Sequence, residues 1–251
     1  MIAELVAWLT DPANWSGPGG IPAQALAHLY YCVVSVAIAS LVAVPLGVYI
    51  GHTGRGSVLV VGLGNAMRAL PTLGLVTLLV LFFGLGEGPA LAGLVILAIP
   101  AIVSGAYAGI INAPADAVDA AKGMGMTSRQ RLWQVELPNA LPLLLGGVRS
   151  AMLQVVATAA VAAYVGLGGL GRILLDGLKI SDYAQMAGAA IMIALLAVVL
   201  DLVLAGASRG LIPRGLALAT RKRRNGGPPF LHRLTSSDRV RVARKTPRRN
   251  S

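Results

Sequence analysis

Long apolar runs fill most of the chain, and short polar segments separate them. A helix needs about 20 apolar residues to cross roughly 30 Å of hydrocarbon. No Asp, Glu, Lys or Arg occurs from residue 12 to residue 54, and the apolar part of that stretch covers about 25–51. Further runs cover about 58–84, 89–111, 141–165 and 184–208. Arg68 lies inside the second, Arg149 inside the fourth and Asp201 inside the fifth. The pattern predicts an all-α integral membrane protein with about five spanning helices. Gly62, Gly64 and Pro71 interrupt the second run, which reads either as one span or as a short helix followed by a span over 69–85. Residues 1–24 read as an external segment and 112–140 as a long loop between spans three and four.

Composition agrees with that reading and changes one part of it. Of 251 residues 56% are apolar and only 12% charged, whereas a soluble domain carries about 25% charged residues. The net charge is nevertheless +11. It is concentrated at one end: residues 209–251 hold 13 Lys/Arg against the single acid Asp238, and the first 208 residues hold 8 against 9. With the N-terminus outside, the inner side gathers ten basic residues near the spans and the outer side only Arg172 and Lys179. The basic bias therefore predicts N-outside, C-inside. The tail 209–251 reads as a disordered cytoplasmic segment, solvated or in contact with anionic lipid head groups. It has no aromatic interleaving, so no nucleic-acid partner is expected. Cys32 stands alone in an apolar run, and His28, His52 and His232 have no metal-ligand spacing. The N-terminus has no basic n-region, so no cleaved signal peptide is expected.

The loop before span four has the clearest local grammar. Pro114 and Asp116 suit a helix start, and Asp119 lies towards its positive end. Gly123 and Gly125 break that helix. Thr127-x-x-Gln130 forms a capping box for a second helix, which Pro138 limits by forcing Leu137 out of helical geometry. Arg129 and Arg131 are left available to water or to a partner. The expected product is a helix–glycine turn–helix hairpin, a plain surface loop being the alternative. It reads Asp119-Ala120-Ala121, three residues, Gly125, nine residues, then Val135-Glu136-Leu137-Pro138.

This spacing resembles the EAA loop of ABC importer permeases, with Asp in place of Glu and Val in place of Ile. The resemblance covers about 25–208. It implies the type I importer permease fold in a prokaryotic inner or plasma membrane. It also implies that 119–137 form a coupling helix seated on an ATPase subunit dimer, with Asp119, Ala120, Ala121, Gly123, Gly125, Arg129, Arg131, Val135, Leu137 and Pro138 in the coupling loop. ATP and Mg would reside on that partner. The chain itself is expected to bind no cofactor and to be no enzyme, since none of its four lysines sits in a Gly-rich phosphate loop. A second permease copy or homologue and a separate extracytoplasmic binding protein complete the expected assembly. Ala69-Leu-Pro-Thr-Leu-Gly74, Gly123-Met-Gly-Met126 and Gly166-Leu-Gly-Gly-Leu-Gly171 are similar to the osmoprotectant branch, whose solutes are glycine betaine, carnitine, choline and proline betaine. The last of these segments is shared with methionine-type permeases.

Ionisable residues inside a membrane are functional candidates by default. Arg149 and Asp201 lie at matched depth, which permits a pair. Arg68 is a second possible partner for Asp201, and snorkelling of Arg149 is the plainer reading. Asn65, Arg68, Thr72, Gln154, Thr158 and Tyr164 are candidates to line a pathway, as are Thr77 and Ser104. Interhelical hydrogen bonds are their alternative role. Gly105-x-x-x-Gly109 permits close helix approach. The few aromatic residues form no legible cage for a quaternary ammonium, so recognition is assigned to the binding protein. Two other classes remain to be separated. An ion-coupled secondary transporter would use Asp201 as its carboxylate, but no inverted repeat is found. An intramembrane enzyme would need a nucleophile or zinc motif, and none is present.

Overall fold

The computed structural model describes residues 2–58, 60, 62, 64 and 71–211. Asn65, Arg68 and the tail from residue 212 lie outside them. Among the described residues every regular element is helical. In chain order these are α1 (Ile2–Thr10), a 3-10 turn (Pro12–Trp15), α2 (Ile21–Thr53), α3 (Thr72–Phe83), α4 (Glu87–Ile111), α5 (Ala115–Gly123), α6 (Ser128–Arg131), α7 (Leu137–Ala162), α8 (Leu170–Ile180) and α9 (Tyr183–Leu211).

Four helices are long and apolar enough to cross a membrane: α2, α4, the continuous helix Ser128–Val165 that contains α7, and α9. The second apolar run departs from the single-span reading. Pro71 stands in extended geometry at φ −68° and ψ 115°, and a new helix of 12 residues starts behind it. At 1.5 Å per residue α3 is about 18 Å long, short of a full crossing. The segment 1–24 expected outside contains a helix of its own, α1, and a further helix, α8, lies between the last two apolar runs. The last helix also runs on to Leu211, past the boundary at 208.

The core is the packing of α2 and α7 on either side of α4. Lipid tails are as apolar as the helix surfaces, so association within a membrane depends on close packing rather than on burial from water. Small residues supply it here. A methyl group on Gly47 would stand 2.7 Å from the Val103 carbonyl oxygen, and one on Gly51 2.8 Å from Ile110 Cβ. On the other face of α4, one on Gly105 would stand 2.6 Å from Gly147 Cα, and one on Gly109 2.7 Å from the Ala140 oxygen. The Gly105-x-x-x-Gly109 spacing thus sits at a backbone-to-backbone seam. Cys32, Ala39, Leu94, Ile102 and Val155 are sealed between these helices.

The two ends of the bundle differ. At one end Gln24 Oε1 accepts the Gly169 N–H (2.7 Å), and the Tyr31 hydroxyl donates to Glu87 Oε1 (3.1 Å). His28 Nε2 meets the Val156 carbonyl at 3.1 Å. The Trp8 ring of α1 covers Gly188 in the second turn of α9, so α1 and α8 belong to this end. The other end carries α5 and α6, approached by the last turn of α2.

Candidate functional site

α5 ends as its glycines require. Gly125 has φ +75°, in the left-handed region that disfavours side chains. Around it the Met126 N–H reaches the Ala121 oxygen (3.1 Å) and the Gly125 N–H the Lys122 oxygen (3.0 Å), which closes the helix end. Asp119 lies on the exposed face and pairs with Lys122 Nζ at 2.9 Å, while Ala121 is buried and Ala120 exposed. The capping box is complete. Thr127 Oγ1 accepts the Gln130 N–H at 3.3 Å, and Gln130 Oε1 accepts the Thr127 N–H at 2.8 Å. Met124 and Trp133 expose apolar surface on this hairpin, and Arg129 is exposed beside them.

Pro138 does not limit the second helix. Leu137 keeps helical geometry (φ −64°, ψ −44°), and the helix runs unbroken from Ser128 to Val165. The reason is a wide π-type turn over Leu132–Glu136, in which the Leu137 N–H reaches back five residues to the Leu132 oxygen. A π-turn inserts slack into the hydrogen-bond ladder, so the donor that proline lacks breaks no required bond. The Asn139 amide donates to the Val135 oxygen at 2.7 Å and satisfies a further carbonyl of that turn. Val135 and Leu137 are half-buried within the joint.

Arg131 is likewise not left to water. Its Nε donates to Glu136 Oε1 at 2.7 Å, across the π-turn. Glu136 is 6% exposed and its other oxygen lies 2.5 Å from His52 Nδ1, at the end of α2. His52 Nε2 in turn meets Ser128 Oγ at 2.7 Å. Nδ1 thus faces the carboxylate and Nε2 the hydroxyl, so both ring nitrogens have partners. Sequence reasoning missed this cluster. Its signal was a lone acid between Val135 and Leu137, with a lone histidine closing a span.

Within the spanning region, α4 and α7 enclose a cleft of about 450 Å³ lined by Pro100, Ser104, Gly146, Ser150 and Gln154 among others. Gln154 and Ser104 therefore face open space, and Gln154 also donates to the Leu97 oxygen at 3.3 Å. Thr158 is buried and donates to the Gln154 oxygen of its own helix at 2.7 Å. Thr72 is half-buried at the start of α3, Thr77 is exposed, and Tyr164 is exposed in the turn that ends α7; none of the three lines the cleft. Arg149 and Asp201 meet as a bidentate pair between α7 and α9, with Nε and one terminal nitrogen each donating to a different carboxylate oxygen. Arg149 follows cleft-lining Gly146 and Gly147 and precedes Ser150. Among the described residues no group of three or more His, Cys, Asp or Glu could hold a metal.

Residues 43–215 match the family described as "Binding-protein-dependent transport system inner membrane component". The chain belongs to this family. It is 32% identical over 189 residues to the glycine betaine/carnitine/choline transport system permease protein OpuCB of Bacillus subtilis, covering 75% of this chain and 87% of that one. It is 34% identical over 194 residues to the osmoprotectant import permease protein OsmW of Salmonella typhimurium, covering 75% and 90%. For OsmY of the same organism the identity is 36% over 188 residues, covering 74% and 80%. The fold matches a chain of the inward-facing MetNI methionine ABC transporter with a TM-score of 0.70 and 21% identity, covering 81% of this chain and 100% of that one. The apolar helices of this family member thus belong to an inner-membrane transport component, and the matched region contains both the hairpin and the cleft.

Proposed function

We propose that this chain is the permease subunit of an ATP-driven importer for a quaternary-amine osmoprotectant. The carrying observation is the hairpin. It presents Met124, Arg129 and Trp133 outward and runs without a break into a helix long enough to span the membrane. Such a lever lets a partner's motion act on α7 and on the cleft beside it. The energy comes from an ATPase dimer docked on the hairpin, which places the hairpin and the basic tail on the cytoplasmic side and α1 outside. Glycine betaine, choline or carnitine is the solute class favoured by the names of relatives at 32–36% identity. A separate binding protein delivers the solute, and the α4–α7 cleft contributes to the passage together with a second permease. Arg149 and Asp201 hold α9 to α7 beside that passage.

The test is reconstitution of the chain with an ATPase subunit, a second permease where one is required, and the binding protein. Uptake of labelled glycine betaine should require ATP. Gly125→Val should keep membrane insertion but lower ATP-driven uptake, because a β-branched residue is strained at φ +75° by about 1–2 kcal/mol. Uptake driven by an ion gradient without any ATPase would overturn the proposal in favour of a secondary transporter.

A further inference from the structure

A π-turn in the middle of a lever is a mechanical weakness. The Leu137 N–H reaches back five residues instead of four across Leu132–Glu136, so the helix bends there more readily than elsewhere. Force applied to the hairpin would be lost in that bend unless the joint were braced. The His52, Ser128, Arg131 and Glu136 contacts lie around this joint. Arg131 immediately precedes the wide turn and Glu136 closes it, so their 2.7 Å bond spans the turn from within. His52 holds Glu136 at 2.5 Å on one side of the turn and Ser128 at 2.7 Å on the other, from a helix outside the hairpin. The Glu136 carboxylate is 7% exposed and the His52 ring 12%, so water competes little for the bond between them, whereas Ser128 is exposed. The end of α2 is itself anchored on α4 by the close approach of Gly51 to Ile110.

We infer that His52, Arg131 and Glu136 are positioning residues for energy coupling: they brace the π-turn so that displacement of the hairpin reaches α7 and α2 together. This rests on the reading of the hairpin as an ATPase-docking lever. The brace does not touch solute or nucleotide. It decides how much of the hairpin's movement reaches the cleft.

The experiment uses the assembled complex in proteoliposomes, with wild-type, His52→Ala, Glu136→Ala, Glu136→Gln and the His52→Ala/Glu136→Ala double variant. Two quantities are read: labelled glycine betaine taken up per ATP hydrolysed, and backbone amide exchange over residues 132–137. Glu136→Ala should lower uptake per ATP roughly three- to tenfold while ATP hydrolysis persists, and His52→Ala should lower it less because Arg131 still holds the carboxylate. Amide exchange across the turn should rise in both, and the double variant should resemble Glu136→Ala alone. Should the Glu136 variants fail to assemble, His52→Ala carries the test, since it leaves the Arg131–Glu136 bond in place. Unchanged exchange in His52→Ala overturns the brace. Raised exchange with unchanged uptake per ATP also overturns it, leaving the contacts purely structural. A wild-type complex that binds no ATPase refutes the lever reading, whereas one that couples normally alongside fully coupled variants refutes only the brace.

Discussion

The α4–α7 seam and the seat of α9 hold spanning helices together by opposite means. At the seam, Gly105 faces Gly147 and Gly109 faces Ala140, so the backbones touch along two turns. Dispersion summed over many close atom pairs holds this contact, and it works only because no side chain intervenes. α9 has just Gly188 and Ala189 buried among its 29 residues, and Leu195, Val198, Val199, Leu202 and Val203 are exposed. In its second half the Arg149–Asp201 pair joins Ala197, Leu200 and Leu204, which pack partly buried against the core. A glycine seam is rigid and unforgiving, whereas a charge pair is specific yet leaves most of the helix surface free for lipid or a second subunit.

The same substitution at both sites gives the largest test. Gly105→Ala should destabilise the chain by about 3 kcal/mol, because the new methyl meets backbone atoms of α7 that cannot rotate away. Thermal unfolding of the detergent-solubilised protein reads it. A wild-type melting temperature would remove the rigid half of the contrast. Asp201→Ala should destabilise less than Gly105→Ala but more than the double variant Arg149→Leu/Asp201→Leu, since the single change strands a guanidinium in the membrane. If the double variant is the worse of the two, the pair is not what seats α9. Gly188→Ala should cost only about 1 kcal/mol, because its methyl meets the Trp8 ring, a side chain able to swing aside. Leu202→Ala on the open face should stay within about 0.5 kcal/mol in the isolated chain; a larger loss only in the assembled complex would mark the face as covered there.

The smallest effect concerns α8, at the base of α9. Lys179, at 2.9 Å, holds the Asp176 carboxyl below the ordinary carboxylate pKa; burial opposes this and Arg172 assists it. A depressed folded-state pKa contributes stability above the unfolded value, and that stability is lost as pH falls through the folded one. The side chain is 44% exposed, so solvent screening limits the contribution to about a few tenths of a kcal/mol. Comparing wild-type with Asp176→Asn at pH 6 and below pH 4 should show the gap closing on acidification.

Much of this was legible in the chain. The apolar runs locate α2, α4 and α9 to within a few residues, and the end but not the start of the helix Ser128–Val165, because a membrane segment must satisfy every backbone group internally. The Gly125 turn and the Thr127–Gln130 capping box were readable because each is a local hydrogen-bond arrangement among neighbours in sequence. Pro138 misled for the same local reason. A proline ends an isolated helix, and the π-turn that absorbs it is seen only in the folded chain. His52 and Glu136 are 84 residues apart, and no periodicity relates them. The break at Pro71 was one of two readings, and α1 and α8 were hidden in segments judged only by charge.

The sequence by itself determined the solvent this protein lives in, its helical class, the hairpin's turn and cap, and the membership of its family. The solvent and class follow from composition, the turn and cap from residues within one or two helical turns of each other, and the family from the Asp119–Pro138 spacing and the match over residues 43–215. Only the tertiary structure decided which small residues meet across the α4–α7 seam, that Arg149 finds Asp201, and that a buried carboxylate links the hairpin joint to α2. Those depend on distances between helices far apart in the chain, which packing sets and local propensity does not.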